Sequence, residues 1–143
     1  MGFKIYRALE GQVEVAYNLV LEYYAAANVQ VREHREQFTA FYFTDGAGVW
    51  LADAADGIAG CVALRRLSDN PGCGEIKRMY VRPPYRGRGI SDLLLQALEQ
   101  YAREFGYQWL YLDTAADMKA AARFYRRKGF ADCERYNQNP QAA

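Results

Sequence analysis

The residues from Ile76 to Ile90 hold five basic side chains, Lys77, Arg78, Arg82, Arg86 and Arg88, and no acidic one. Two of them alternate with glycine in Arg86-Gly87-Arg88-Gly89, and Ile90-Ser91 then opens a leucine-rich segment. This arrangement suits a small polyanion. A helix start leaves backbone N–H groups without partners and carries partial positive charge, so it attracts phosphate oxygens. Glycine lets a ligand approach the backbone closely, and arginine supplies countercharge and hydrogen-bond donors.

Other phosphate motifs do not fit. There is no G-x-x-x-x-G-K-[ST], which excludes a nucleoside-triphosphate loop. G-x-G-x-x-G fails because Asp92 stands where the third glycine is needed, and no early βαβ unit surrounds the turn. The turn must therefore be positioned by other elements. "FKIYRAL" reads as a first strand, followed by a helix with Val15, Leu19 and Tyr23 at helical spacing. "VREHREQFTAFYF" reads as a second helix, with His34 on its polar part as a surface residue. Two apolar runs around Asp56-Gly57 signal a hairpin, and "EIKRMYV" adds a strand, giving an antiparallel meander. Ile90, Leu94, Leu98, Tyr101 and Phe105 mark one face of the next helix, which stops at Gly106. "WLYLDT" reads as a central strand. A helix over Asp117–Lys128 stops at Gly129, and "FADCERY" reads as a last strand. The order βααβββαβαβ predicts a single α/β domain over residues 1–143, with a mixed, mostly antiparallel sheet flanked by helices.

Composition narrows the function classes. A chain of 143 residues, 51% hydrophobic, is long enough for one core. A net charge of +1 argues against nucleic-acid binding as the main task. The charge is uneven, however: residues 1–60 hold four Lys/Arg against eight Asp/Glu, and residues 61–143 hold fourteen against nine. No apolar run reaches membrane-span length and the N-terminus lacks a secretory layout, so a cytoplasmic protein is expected. Cys61, Cys73 and Cys133 lack metal-site or disulfide spacing and read as reduced thiols, with no metal expected.

From the motif Arg86-Gly87-Arg88-Gly89-Ile90-Ser91 and the ordered series "EIKRMYVRPPYRGRGI", "LYLDT" and "AARFYRRKGF", the chain resembles the GNAT superfamily of acyl-coenzyme A-dependent N-acyltransferases over residues 49–136. The resemblance implies acetyl-CoA as donor and a primary amine of a small molecule or peptide as acceptor, joined by direct attack in a ternary complex. It also implies that the backbone of Met79, Tyr80 and Val81 pairs with the pantetheine arm and that Arg86 to Ser91 hold the pyrophosphate. Tyr125 would give a proton to the departing thiolate, and Glu75 would act as base. Glu75 lies four residues before Met79, roughly 13 Å along a strand, so it would work through a water. Glu33 and Glu36 are alternative bases, and Tyr23, Tyr24, Phe38, Phe41 and Tyr42 are candidate walls of the acceptor pocket. A non-catalytic acyl-coenzyme A-binding domain is the alternative reading.

Two departures stand out. Ser91 occupies a position where Gly or Ala is usual in the family, and a small side chain there could cap the helix. The chain also ends "YNQNPQAA" without a further apolar strand, which is expected to reflect a shortened chain, a sheet position left open, or one filled by a partner in a homodimer.

Overall fold

Strand β1 (Lys4–Arg7) leads through a single 3-10 turn into helices α1 (Val13–Ala26) and α2 (Arg35–Tyr42). Strands β2 (Gly48–Asp53), β3 (Ile58–Arg66) and β4 (Cys73–Val81) follow, then helix α3 (Ile90–Phe105), strand β5 (Trp109–Tyr111) and helix α4 (Lys119–Arg127). This computed structural model describes residues 2–28, 30–31, 33–67, 72–113 and 119–133. The chain divides into two compact units, Met1–Tyr111 and Leu112–Ala143.

The first unit holds a five-stranded sheet in the order β1-β2-β3-β4-β5. The first three pairings are antiparallel and β4–β5 is parallel, so the mixed, mostly antiparallel α/β fold predicted from the sequence is the one observed. The sheet's two faces follow from strand alternation. Val49, Leu51, Cys61 and Ala63 point to a core shared with Val13, Ala16, Leu19, Val20 and Tyr24 of α1 and Phe38 and Tyr42 of α2. Trp50 points the other way, onto Tyr101 of α3, with ring centroids 5.3 Å apart. Each large apolar side chain so buried contributes about 1.5–3 kcal/mol relative to exposure.

The helical phases differ from expectation in instructive ways. On α1 the buried set is Val13, Ala16, Leu19, Val20 and Tyr24, and Val15 is exposed. Several apolar side chains are available on either side of Leu19, and packing on the sheet decides among them. On α3 the buried stripe is Ile90, Leu94, Leu95, Leu98 and Ala102. Phe105 lies at its edge, under the Arg66 guanidinium, whose carbon sits 4.8 Å from the ring centroid. Strand β5 is shorter than "WLYLDT" and, among the described residues, forms the outer strand of the sheet, with Trp109 exposed.

In the second unit α4 occupies most of the expected helix, though Asp117 and Met118 lie outside the described residues. Of the expected last strand, Phe130–Cys133 form no strand and residues 134–136 lie outside the described set. Among the described residues no helix is long and apolar enough to cross a membrane.

Candidate acyl-donor site

Among the described residues, strand β4 is paired on both sides only at its start. With β5 it makes the parallel pairs Cys73↔Trp109, Gly74↔Leu110 and Glu75↔Tyr111, and there the pairing ends. Beyond Glu75, β4 continues to Val81 bonded to β3 alone, among the described residues. Among the described residues, the six from Ile76 to Val81, about 20 Å of strand, have no strand beside them on the β5 side, an edge of the kind that can pair with an extended ligand.

A bulge shapes this edge. The register with β3 shifts between Cys61↔Tyr80 and Ala63↔Lys77, so Arg78 and Met79 together oppose Val62. Arg78 takes the extra step in a left-handed conformation, φ +60°, which a non-glycine residue holds only when its surroundings enforce it. Its carbonyl accepts a hydrogen bond from the Cys61 thiol at 3.4 Å. Burial pushes that thiol up to about 12, with the Glu22 carboxylate adding in the same direction. Close approach also needs Gly60, which pairs with Val81: a Cβ there would lie 2.5 Å from the Tyr80 carbonyl oxygen.

After Val81 the chain makes a 3-10 turn over Pro83–Tyr85 and enters the glycine turn. Gly87 and Gly89 have φ +79° and +78°, and a Cβ on either would meet nothing within 4 Å, so the turn is both left-handed and open. Gly89 is the N-cap of α3, and the first helical bond runs from Leu93 N–H to Gly89 O at 3.2 Å. Ser91 is thus the second helical residue and not the cap, which corrects the role suggested for its hydroxyl. Arg86 and Arg88 are exposed, with Arg86 Nε donating to Val81 O at 2.8 Å. The open β4 edge, the accessible left-handed glycines and the exposed arginines at a helix start together fit an extended ligand with a phosphate group. Met79, Tyr80 and Val81 lie on that edge, and Arg86 through Ser91 span the turn and the first residues of α3.

The remaining basic residues of the run are engaged within the protein. Arg78 Nη2 donates to both carboxylate oxygens of Glu33, at 3.1 and 3.2 Å, with both side chains buried. Its guanidinium also lies over the Tyr23 and Tyr24 rings, 5.9 and 4.9 Å from their centroids. Arg82 forks onto Glu22, Nε to Oε1 at 3.0 Å and Nη2 to Oε2 at 2.6 Å, and donates to Ile58 O at 2.8 Å. The hydrogen bond from Arg82 lowers the Glu22 carboxyl below its ordinary value, against a smaller opposing effect of burial. Neither pair was anticipated. The sequence contained the acids, but partners 45 and 60 residues apart leave no local trace.

Glu75 is 1% exposed and lies between two cations, Arg65 Nε at 3.1 Å from Oε1 and Lys77 Nζ at 3.7 Å from Oε2. Of the alternative bases, Glu33 is committed to Arg78 and Glu36 is exposed on α2. Tyr24, Phe38 and Tyr42 are core residues and not pocket walls, Tyr23 is half-buried, and Phe41 is exposed under the Arg65 guanidinium, 5.3 Å from its ring centroid. In the second unit Tyr125 is the buried residue of α4, edge-to-face with Phe124 and Phe130 at 5.1 and 5.4 Å. His34 is exposed at the N-cap of α2, as its polar setting implied.

A model of the acetyltransferase (GNAT) family matches residues 14–130. The chain belongs to that family. Among relatives, an uncharacterized N-acetyltransferase of Schizosaccharomyces pombe is 42% identical over 81 residues, 57% of this chain and 49% of that protein. The IAA acetyltransferase of Azospirillum brasilense is 39% identical over 75 residues, 52% of this chain and 48% of that protein. The chain thus spans about half the length of the curated relatives it matches. Among solved structures, a GNAT acetyltransferase from Staphylococcus aureus Mu50 superposes with a TM-score of 0.83 at 21% identity, covering 99% of this chain and 95% of the other. AAC(6')-Iy, solved with the bisubstrate analogue CoA-S-monomethyl-acetylneamine, superposes with a TM-score of 0.80 at 15% identity, with 100% of both chains covered. At those identities the structural likeness concerns the GNAT fold.

Proposed function

We propose that this GNAT protein moves an acetyl group from acetyl-CoA to a primary amine of a small molecule or peptide, by direct attack within a ternary complex. The observation that carries the reading is the continuity of the open β4 edge with the left-handed glycine turn at the start of α3. The edge offers the backbone groups of Met79, Tyr80 and Val81 to an amide-bearing arm. The turn offers the first amides of α3 and the Arg86 and Arg88 side chains to a pyrophosphate. Arg86 has donors beyond the one on Val81 O, so it can serve both the carbonyl and a phosphate.

Bound there, acetyl-CoA would supply a thioester whose carbonyl carbon forms the new bond to nitrogen as the carbon–sulfur bond breaks. Holding both reactants in one complex provides most of the acceleration. Tyr125 is the proposed donor of a proton to the leaving sulfur, since a phenol can release one as negative charge builds there. Glu75 is the proposed acceptor, through a water, of the proton the amine loses. Its carboxylate is held by Arg65 and Lys77, which suits a fixed anchor for such a water better than a mobile base.

Thiol release with a panel of amines tests the proposal. Release that depends on both acetyl-CoA and one class of amine supports it. Tight binding of acetyl-CoA with no release for any amine would favour the non-catalytic alternative.

A further inference from the structure

Met79, Tyr80 and Val81 lie between two arginines, Arg78 and Arg82, each gripped by a carboxylate from outside the sheet. Glu22 belongs to α1 and Glu33 to the connection between α1 and α2. We propose that Glu33–Arg78 and Glu22–Arg82 are positioning pairs that set the course of the β4 edge before the donor binds, so that its amides and carbonyls already stand in register with the pantetheine arm. This rests on the reading above that the edge takes that arm.

The two ends are fixed in complementary ways. At the first, the left-handed step at Arg78 has to be enforced, and its side chain does so. The guanidinium meets both oxygens of Glu33, and the rings of Tyr23 and Tyr24 lie beside it. Glu33 is held in turn, because Tyr17 OH donates to its carbonyl at 3.1 Å. At the second end, the Arg82 backbone N–H donates to Ala59 O at 2.8 Å and its side chain spans Ile58 O and Glu22. The same carboxylate accepts the Tyr80 hydroxyl at 3.4 Å, so the middle of the edge is tied to α1 as well.

Stability alone does not account for the buried pair. Arg78 Nε is buried without a hydrogen-bond partner, and a buried ion pair commonly adds no more stability than apolar side chains of the same volume. What an apolar pair cannot do is fix direction. One guanidinium nitrogen shared between two carboxylate oxygens, with the Tyr23 and Tyr24 rings beside it, gives the side chain at the bulge a direction that dispersion contacts alone leave loose.

The test compares two ligands on the folded protein by calorimetry: coenzyme A, and its adenosine-bisphosphate fragment, which lacks the arm. Wild-type protein should bind coenzyme A more tightly than the fragment. In the double variant Glu33→Leu/Arg78→Met, affinity for coenzyme A should fall by about tenfold, the scale of a sub-ångström misplacement, with the fragment unaffected. Glu22→Gln, at a half-exposed pair whose loss should cost little stability, should show the same selective loss at about threefold. If the double variant does not fold, Glu22→Gln decides alone. Equal losses for both ligands, or no loss for either, overturn the proposal. If wild-type protein binds coenzyme A no more tightly than the fragment, the arm-binding reading fails first and takes this one with it.

Discussion

Replacing Gly60 by alanine tests whether the β4 edge must hold its course to within an ångström. The added Cβ would lie 2.5 Å from the Tyr80 carbonyl oxygen and 3.2 Å from Val81 Cα. Both contacts are backbone, so no side-chain rotation can relieve them. An ordinary carbon–oxygen contact is about 3.3 Å or more, so Tyr80 has to recede by about 0.8 Å. Overpacking of this kind costs about 1–3 kcal/mol, or a fall of several degrees in Tm. The functional effect should be larger, because an error near 1 Å in the reacting geometry can reduce rate by up to ~100-fold. The expected outcome for Gly60→Ala is a modestly less stable protein whose kcat/KM for acetyl-CoA falls by about 10- to 100-fold. Binding of the adenosine-bisphosphate fragment should persist, since Gly60 pairs with Val81 and lies outside the glycine turn. A variant that loses the predicted stability yet keeps kcat/KM within about twofold would show that β3 yields instead of β4, and the reasoning about the edge would be refuted.

Glu33→Gln should destabilise the fold by about 3–5 kcal/mol, roughly 10 °C or more in Tm, because it strands a guanidinium that is 7% exposed. The guanidinium cannot shed its charge, since arginine stays protonated even where burial disfavours the charged form; a loss below about 1 kcal/mol in urea unfolding would contradict this. By contrast Asp132→Asn, whose partner Arg126 is exposed, should cost less than about 0.5 kcal/mol. The Glu22 carboxyl is lowered in the folded state, so its contribution is complete above the ordinary carboxylate range and disappears as pH falls through the lowered value. The urea-midpoint gap between wild type and Glu22→Gln should therefore be constant near neutrality and close on acidification, and a gap that widens in acid would reverse the sign. With its thiol at about 12, Cys61 should resist alkylation at pH 8 on the native protein while exposed Cys133 reacts quickly; mass spectrometry of the modified sites distinguishes them. Tyr125→Phe should reduce turnover by about 100-fold with little change in acetyl-CoA affinity, and turnover unchanged across the pH range would remove the acid role.

Much of this was legible in the chain because it depends on local pattern. Strand, glycine turn and helix are written consecutively from Glu75 to Phe105, and backbone amides at a helix start act irrespective of which side chains surround them. What was not legible is long-range. Counting charges placed all five basic residues of 76–90 at a polyanion site, whereas Arg78 and Arg82 meet Glu33 and Glu22. Lys77 lies beside Glu75. The bulge has no signal either, because arginine is a poor marker for a left-handed step and the residue that accommodates the close strand, Gly60, reads as an ordinary glycine in a strand. The same limit explains the aromatic residues: periodicity says that Tyr24 and Phe38 share faces with apolar neighbours, but only packing shows that they are core.

The open edge of β4 also has a bearing on solubility. A strand edge without a partner is a template for another chain, and among the described residues this one lies beside the β3–β4 pairing. Several features restrain that hazard. The bulge twists the edge away from a flat register, Pro83 and Pro84 end it abruptly, and Arg86 occupies the Val81 carbonyl. A ligand that occupies the edge should protect it further, so the bare protein ought to be the aggregation-prone form and the donor-saturated protein the one that survives storage.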